Sequence, residues 1–404
     1  MSFRQFELCP ATLNLKYCIF TMMILSKSLL IKSLIVLCVA ALTASCTQTK
    51  NGSGEPTSQS IDSTDWALFP FVKVDSVNPI LTSNANSVFK CPVWKHDVHW
   101  EAHDVYNPSA IVRNDKIYLV YRAEDTVKAV TGTSRLGLAE SIDGIHFKRL
   151  PQPVFYPDED FMKKYEWMGG CEDPRIVEDS TGTYIMTYTA YDGKMARLCI
   201  ASSKDLLTWQ KHGLVFGDDK YKDSWSKSGA IVCEKKNGRL IAAKIHNKYW
   251  MYYGEGVMLA NSDDLIHWKM LEDEKGEPLT VIHKRTGTSL FDNGLVEAGP
   301  PPILTKHGIL VIYNGARKKS SGEGIEMYSG GQALMDKNDP SKMLYQLNTP
   351  FIYPEKDYEL AGLVNKVTFS EGLVFFKGKW FLYYGTADSK IAVAVCENDI
   401  NTEL

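Results

Sequence analysis

The chain has 404 residues, of which 44% are hydrophobic and 11% aromatic, so it is long enough to bury a large core. Its net charge of -3 argues against a nucleic acid or another polyanion as partner, because no basic stripe dominates the sequence. The 20 Tyr and 9 Trp residues can stack on sugar rings, although most of them are expected to lie in strand cores.

Residues 1–46 are predicted to be a signal peptide with a lipobox-like end, and the residues before Met22 or Met23 are expected to be an upstream extension of it. Lys27 and Lys32 precede the apolar run 33–42, which is short for a bilayer span but has the length of a signal-peptide core. The sequence Thr43-Ala44-Ser45-Cys46 resembles a bacterial lipobox, so Cys46 is the expected lipidation site. This interpretation predicts an exported lipoprotein of a Gram-negative outer membrane, facing the periplasm or the cell surface. An uncleaved membrane anchor is the alternative.

The segment that follows predicts a tether and then one large domain. Residues 47–60 are rich in Ser, Thr, Gly and Asn, which is typical of a flexible linker, and residues 61–404 form the predicted domain. Five widely spaced cysteines follow Cys46, and they show neither a disulfide pattern nor a zinc-ligand spacing. No metal and no cofactor is predicted. The oligomeric state stays open at this stage.

A repeated strand pattern predicts the fold. Five β-rich segments, each with turn residues near its middle, recur along the chain at 110–121, 175–188, 230–243, 302–313 and 372–384. A second hairpin follows most copies, and the last copy stops at 389–396, so 66–72 or the stretch near Leu81 is expected to complete it. Four strands in each of five units predict an all-β fold, a five-bladed β-propeller with a central funnel. A two-sheet sandwich is the disfavoured alternative.

The inner strand of each predicted blade begins at the funnel. The corresponding starts lie near Asn107, Asp173, Ser228, Glu297 and Glu371, and they bring acidic side chains to one opening. The motif Glu172-Asp173-Pro174-Arg175 offers paired carboxylates, which can act as the acid and base of glycoside hydrolysis, and an arginine that can hold one of them ionised. Simple turn residues are the alternative interpretation of this motif.

The sequence from about Glu101 onward resembles glycoside hydrolase family 130, which contains β-mannoside phosphorylases and β-1,2-mannosidases. The segments that carry the resemblance span all five units and include 107–110, 121–125, 134–139, 169–176, 298–301 and 384–388. The resemblance implies that Asp173 is a general acid that acts through the 3-hydroxyl of the bound mannose. It also implies a mannose-containing oligosaccharide as the substrate. The expected substrate-binding residues are Asn107, Arg122, Glu124, Asp125, Arg135, Glu172, Arg175, Asp192, Lys227, Asn314, Glu371 and Asp388.

The same resemblance distinguishes hydrolysis from phosphorolysis. Phosphorylase members present a basic cluster to phosphate, whereas the corresponding stretches here read Thr189-Ala190-Tyr191-Asp192-Gly193 and Tyr313-Asn314-Gly315. Glu255 and Glu297 match the glutamates implied to activate water, which predicts inverting, exo-acting hydrolysis of β-1,2-mannosides. A solvated loop acid is the alternative for Glu255. The alternatives for the whole protein are a β-mannoside phosphorylase, a non-catalytic glycan-binding lipoprotein and, less favoured, an arabinan-cleaving enzyme.

Overall fold

The computed structural model describes residues 64–126, 132–217, 220–287 and 289–400. The predicted signal segment, Cys46 and the predicted tether lie outside these residues. Within the described ranges, no helix has the length and apolarity needed to cross a membrane.

Three short strands precede the first repeat. They are β1 (Val72–Lys73), β2 (Phe89–Lys90) and β3 (Asp97–Val98). Strands β2 and β3 pair with each other, whereas β1 pairs with the last strand of the chain.

The first two blades are regular four-stranded antiparallel units. Blade 1 consists of β4 (Asp104–Arg113), β5 (Lys116–Glu124), β6 (Ser134–Ser141) and β7 (Lys148–Arg149). A four-residue helix, α1 (Lys163–Glu166), then leads to blade 2, which consists of β8 (Gly170–Glu178), β9 (Tyr184–Tyr191), β10 (Ala196–Ser203) and β11 (Trp209–Leu214). The predicted hairpins at 110–121 and 175–188 are confirmed by this pairing.

Blade 3 differs from the prediction. The innermost strand, β12 (Ala230–Ile231), pairs with β16 (Lys248–Tyr253), and the blade continues with β17 (Met258–Ser262) and β18 (Trp268–Met270). Between β12 and β16 the chain forms β13 (Cys233–Lys236), β14 (Arg239–Ala242) and β15 (Lys244–Ile245). The hairpin β13–β14 exists as predicted, but it bridges to blades 2 and 4 through parallel pairs with β8 and β20. Local turn chemistry therefore predicted the hairpin, and long-range pairing placed it between blades.

Blades 4 and 5 complete the series. Blade 4 contains β19 (Leu295–Ala298), β20 (Ile303–Thr305), β21 (Gly308–Lys318), β22 (Ile325–Met335) and β23 (Met343–Gln346). Strands β19 and β20 both pair with β21, and Pro300 and Pro301, which cannot donate backbone hydrogen bonds, lie at the break between them. After α2 (Asp357–Leu360), blade 5 contains β24 (Thr368–Phe376), β25 (Lys379–Thr386) and β26 (Lys390–Cys396).

The N-terminal segment closes the propeller. Strand β1 supplies the fourth strand of blade 5 by pairing with β26, and Leu81 forms a further bridge to Ile391. The two stretches that the sequence suggested for closure thus both contact blade 5. Neighbouring blades pack in chain order, and the inner strand β24 of blade 5 packs against β4 of blade 1. The described part of the chain therefore forms a five-bladed β-propeller.

Apolar side chains fill the space between the blades. Trp380, Leu382 and Tyr384 alternate along β25 with Phe381 and Tyr383, and the two sets face different core clusters. This period of two buries both faces of a blade, as a radial array requires. The five described cysteines are free and buried, as expected for small hydrophobic side chains.

Candidate active site

Bulges on three inner strands direct polar residues to the centre. The register of β4 with β5 shifts at Asn107, that of β8 with β9 shifts between Glu172 and Arg175, and that of β24 with β25 shifts at Glu371. Asn107 has φ 47° and Asp173 has φ 48°, a left-handed conformation that Asn and Asp tolerate better than most residues. A register shift thus recurs on all three inner strands, and on two of them it coincides with a left-handed residue.

The bulged strands border a cavity of about 370 Å³. Its lining combines charged side chains with apolar and aromatic ones. The lining residues are Tyr106, Asn107, Arg122, Glu124, Asp173, Lys227, Glu255, Leu295, Glu297, Tyr328, Leu363, Val367, Phe369 and Asp388. All three residues predicted to be catalytic therefore face one cavity.

Arg122 organises the acidic group around Asp173. Its guanidinium donates to Asp173 Oδ1 at 3.1 Å, to Glu172 Oε1 at 3.0 Å and to Glu124 Oε1 at 2.6 Å. Asn107 Nδ2 donates to the same Asp173 Oδ1 at 2.9 Å. Oδ1 is therefore occupied by two donors, and among the described residues no hydrogen bond is seen to Oδ2, which leaves that oxygen for a substrate hydroxyl.

The pKa values of Glu172 and Asp173 are shifted in opposite directions. Burial raises the pKa of Glu172 to about 7, against the lowering effect of Arg122. Burial also acts to raise the pKa of Asp173, but Arg122 and Lys227 outweigh it, so that this pKa lies below its usual value. Asp173 is therefore the more strongly ionised member of the pair near neutral pH.

Lys227 lies between the two predicted water-activating glutamates. Its ammonium nitrogen is 3.3 Å from Glu255 Oε1 and 3.3 Å from Glu297 Oε1. Glu297 also accepts a short hydrogen bond from Ser228 Oγ, and a backbone bridge joins Glu255 to Glu297. Burial acts to lower the pKa of Lys227, but Glu297, Asp173 and Glu255 raise it above the usual value, so the ammonium stays charged.

The two glutamates differ in exposure. The Glu297 side chain is 3% exposed and is fixed by Lys227 and Ser228, whereas the Glu255 side chain is 43% exposed. Glu297 is therefore held in one position, and Glu255 can adapt to a ligand.

Asp388 also lines the cavity. Burial raises its pKa to about 7, against the lowering effect of Arg122. The backbone N–H of Val364 donates to the Ala387 carbonyl at 3.2 Å, and the N–H of Leu363 donates to Ser389 Oγ at 2.9 Å. These bonds attach the loop that carries Leu363 to the turn that carries Asp388.

Several residues predicted to bind substrate do not line this cavity. Arg175 and Glu371 form a fully buried pair at 3.1 Å, and Asn314 exchanges hydrogen bonds with the backbone of Ser370. Their side chains are used between blades, so the structure gives them no direct route to a sugar in this cavity.

The remaining residues also have other partners. Arg135 of β6 and Asp125, which directly follows β5, form a buried ion pair at 2.6 Å and do not line the cavity. Asp192 accepts from Arg197 at 2.8 Å and from two backbone N–H groups in the turn after β9. Their predicted contact with substrate is thus not supported by the placement of these side chains. Glu172 does not line the cavity, but it accepts a hydrogen bond from Arg122, which does.

Sequence reasoning missed part of the lining. Tyr106 donates to Glu124 Oε1 at 2.5 Å, and its ring lies 4.7 Å below the Arg122 guanidinium. Ser228 was recognised only as a strand start. The lining residues Tyr328, Leu363 and Phe369 lie in no motif that would have predicted them. Tyr106 could have been found, because it directly precedes Asn107 in a motif of the resemblance. In the part of the chain that the structure describes, no group of three or more His, Cys, Asp or Glu side chains could hold a metal ion.

Paired acids in the polar central cavity of a β-propeller are the features expected of a glycoside-cleaving enzyme. A family model described as β-1,4-mannooligosaccharide phosphorylase matches residues 79–402, and the chain belongs to this family, glycoside hydrolase family 130, whose members act on β-mannosides. The predicted family membership is thereby confirmed.

Individual relatives agree with this assignment. The chain is 34% identical over 309 residues to a 1,2-β-oligomannan phosphorylase of Thermoanaerobacter sp., covering 75% of this chain and 93% of the relative. A solved structure of a candidate glycosidase from Bacteroides thetaiotaomicron is 46% identical with a TM-score of 0.80, covering 82% of this chain and 98% of the other.

A further solved structure is 43% identical with a TM-score of 0.79, covering 82% of this chain and 94% of the other. The reported finding for that structure is that glycoside hydrolase family 130, a family of mannoside phosphorylases, contains glycoside hydrolases that target β-1,2 mannosidic linkages in Candida mannan.

Proposed function

We propose that this protein is an inverting, exo-acting β-mannosidase that hydrolyses β-1,2-linked mannosides. The observation that carries the proposal is the pairing of Lys227 with both Glu255 and Glu297 in the cavity that contains Asp173. The similarity to a structure associated with hydrolases of β-1,2 mannosidic linkages supports the choice of reaction and linkage.

The charges of the lining favour water over phosphate as the nucleophile. Within the described residues, the lining contains two cations, Arg122 and Lys227, and five carboxyl groups. Arg122 is engaged by three carboxylates and Lys227 by two. A phosphate dianion would face uncompensated negative charge, whereas a water molecule can give its proton to a carboxylate.

The attacking water is activated by Glu297 in this mechanism. The water oxygen bonds to the anomeric carbon while Glu297 accepts the proton, and Glu255 orients the water from the exposed side. We assign the base to Glu297 because its carboxylate is fixed by Lys227 and Ser228, and a preorganised base does not have to be ordered during the reaction.

Asp173 supplies the proton for the leaving group through the sugar. The bond from the anomeric carbon to the glycosidic oxygen breaks, that oxygen takes the proton of the mannose 3-hydroxyl, and Asp173 reprotonates the 3-oxygen. Since Arg122 and Lys227 lower the pKa of Asp173 against the effect of burial, a bound sugar that excludes water must raise this pKa again. We therefore expect kcat/KM, which reports the free enzyme, to fall as pH rises above the acidic range.

The second candidate is a β-mannoside phosphorylase. Its specific support is the 34% identity to a protein named as a 1,2-β-oligomannan phosphorylase. In that case Lys227 would have to leave the glutamates and bind phosphate. A non-catalytic glycan-binding protein is a third candidate, which the three carboxylates in one cavity disfavour.

The deciding experiment is proton NMR of β-1,2-mannobiose with the enzyme, with and without phosphate. We expect free mannose at the same rate in both samples, with the α-anomer formed first from the nonreducing residue. Asp173→Asn should lower kcat by about 10² to 10⁴-fold while mannobiose binding measured by calorimetry is retained. Formation of mannose 1-phosphate only when phosphate is present would overturn the hydrolase proposal, and unchanged turnover in Asp173→Asn would overturn the assigned acid.

The proposed location is that of an exported lipoprotein anchored through Cys46. This placement would bring the enzyme to glycans outside the cytoplasm, where a hydrolase loses no sugar phosphate. Labelling with a clickable fatty acid should modify the wild type and not Cys46→Ala. Equal labelling of both proteins would contradict the assigned anchor.

A further inference from the structure

The buried pair Arg175 and Glu371 lies behind the site and has no place in the mechanism above. The Arg175 side chain is 1% exposed and that of Glu371 is 0% exposed. Neither lines the cavity, although both lie on bulged inner strands next to residues that reach the centre.

Arg175 joins the strand of the proposed acid to the strand of the proposed base. Its NH1 donates to the backbone carbonyl of Asp173 at 3.1 Å. Its NH2 donates to the carbonyl of Ala298 at 2.9 Å, and its Nε donates to the carbonyl of Gly299 at 2.8 Å. Ala298 directly follows Glu297 in β19, so one guanidinium contacts the backbone on both sides of the cavity.

Glu371 fixes the guanidinium from a third blade. Its Oε1 accepts from Arg175 NH2 at 3.1 Å, and its Oε2 has no hydrogen-bond partner among the described residues. Burial raises the pKa of Glu371 well above its usual value, against the lowering effect of Arg175. A planar fork with donors in fixed directions can satisfy three carbonyls and a carboxyl group at once, which the single ammonium of a lysine cannot do.

The bond from Arg175 to the Asp173 carbonyl matters because Asp173 has an unfavourable backbone conformation. Its φ of 48° is a left-handed value, and the register shift between Glu172 and Arg175 places the distortion at the acid itself. Such a conformation persists where surrounding contacts enforce it. The bond from Arg175 to the Asp173 carbonyl is one such contact, and the cavity-side bonds from Asn107 and Arg122 fix the carboxylate.

We propose that Arg175, held by Glu371, is a positioning residue that sets the distance between the acid Asp173 and the base Glu297. This inference rests on the proposed roles of these two carboxylates. It predicts that disturbing the pair lowers kcat through misalignment and leaves binding of the sugar nearly intact. A displacement of about 1 Å at a reacting group can lower the rate by about 10²-fold.

The test compares Arg175→Lys with a control from a buried pair elsewhere. The Glu166 side chain, at the end of α1, is 0% exposed and pairs with Lys211 of β11 at 2.6 Å, outside the cavity lining. Arg175→Lys should lower kcat by about 10²-fold and change KM less than about 3-fold, whereas Glu166→Gln should lower Tm and leave kcat unchanged. Equal kcat for Arg175→Lys and the wild type, or a change confined to KM, would overturn the inference.

A double variant separates positioning from simple stability. Arg175→Met combined with Glu371→Leu removes both members of the buried pair and leaves no unpaired carboxyl group, so its Tm should exceed that of Arg175→Met alone. Its kcat should stay as low as that of the single variant, because the three carbonyls still lack their donor. Recovery of kcat together with Tm would show a merely structural role.

The outcome can be separated from a failure of the proposed function. The kcat ratios are measured under whichever condition, with or without phosphate, gives turnover in the wild type. A crystal structure of Arg175→Lys gives a readout that needs no turnover. We expect its Asp173 carboxylate to shift relative to Glu297, and an unchanged position of both side chains would overturn the inference whatever the nucleophile is.

Discussion

Replacing Arg122 by methionine tests the electrostatic organisation of the cavity. The guanidinium contacts Glu124, Glu172 and Asp173 at 2.6, 3.0 and 3.1 Å, and its side chain is only 13% exposed. Methionine is similar in length and lacks the charge. Arg122→Met would therefore leave three neighbouring carboxyl groups without their common cation.

The expected loss of stability follows from these contacts. Removing one partner of a buried ion pair costs about 3–5 kcal/mol, because the other partner is left charged and unsolvated. The unit from Ile61 to Leu404 has about 340 residues, which gives an unfolding entropy of roughly 0.7 kcal/mol/K at Tm. Differential scanning calorimetry at pH 8 should therefore show a Tm lowered by about 4–7 °C.

The loss should depend on pH with a definite sign. Arg122 lowers the pKa of Asp173 and opposes the burial-induced rise in the pKa of Glu172. In the variant the folded-state pKa values of Glu172 and Asp173 both lie higher than in the wild type. The free energy of unfolding of the variant therefore falls, relative to the wild type, as pH rises through these pKa values. The difference in Tm between variant and wild type should be clearly smaller at pH 4.5 than at pH 8.

A matched control uses an arginine outside the cavity. Arg317 pairs with Glu326 at 3.0 Å, and both side chains are about one third exposed, at 33% and 34%. Arg317→Met should cost less than about 1 kcal/mol and shift Tm by less than about 2 °C. If Arg122→Met behaves like this control, or if its loss of Tm is equal at both pH values, the electrostatic reasoning is refuted.

Three further predictions concern the cavity. Glu297→Gln should lower kcat by about 10² to 10⁴-fold, and Glu255→Gln should lower it less. Added azide should restore product formation in Glu297→Gln, because azide needs no base. A larger loss of kcat in Glu255→Gln would exchange the two roles. Asp388→Asn should raise Tm at pH 8 and leave it nearly unchanged at pH 4. The reason is that burial raises the pKa of Asp388 to about 7, so its carboxyl group destabilises the folded state as pH rises to that value. An equal difference in Tm at both pH values would contradict this. Gly137→Ala should lower Tm measurably, because an added Cβ would lie 2.4 Å from the Tyr121 ring, and a wild-type Tm would show that the ring moves aside freely.

Much of the fold was predictable from local sequence. The hairpin turns at Asn114-Asp115, Asn237-Gly238 and Lys377-Gly378 have positive φ at both positions, as two-residue turns between twisted strands require. Their recurrence was sufficient to count the blades. It was not sufficient to place β13 and β14, because the hairpin pattern does not say which other strands the hairpin will contact.

The catalytic candidates were predictable for a different reason. Asp173, Glu255 and Glu297 lie in motifs of the family resemblance, and the structure places them in one cavity. Their protonation was not predictable, since the opposite pKa shifts of Glu172 and Asp173 depend on burial and on Arg122, which is 50 residues away from Glu172 along the chain.

The strand repeat, the polar residues at the strand starts and the excess of acids over bases among them can be deduced from the order of the amino acids. Which of those polar residues face the cavity depends on how the strands pair in three dimensions. Side chains alternate along a strand, so a one-residue bulge exchanges the face that each presents, and sequence alone shows no bulge. For this reason Asp173 opens onto the cavity, whereas Arg175, two residues later, lies buried against Glu371.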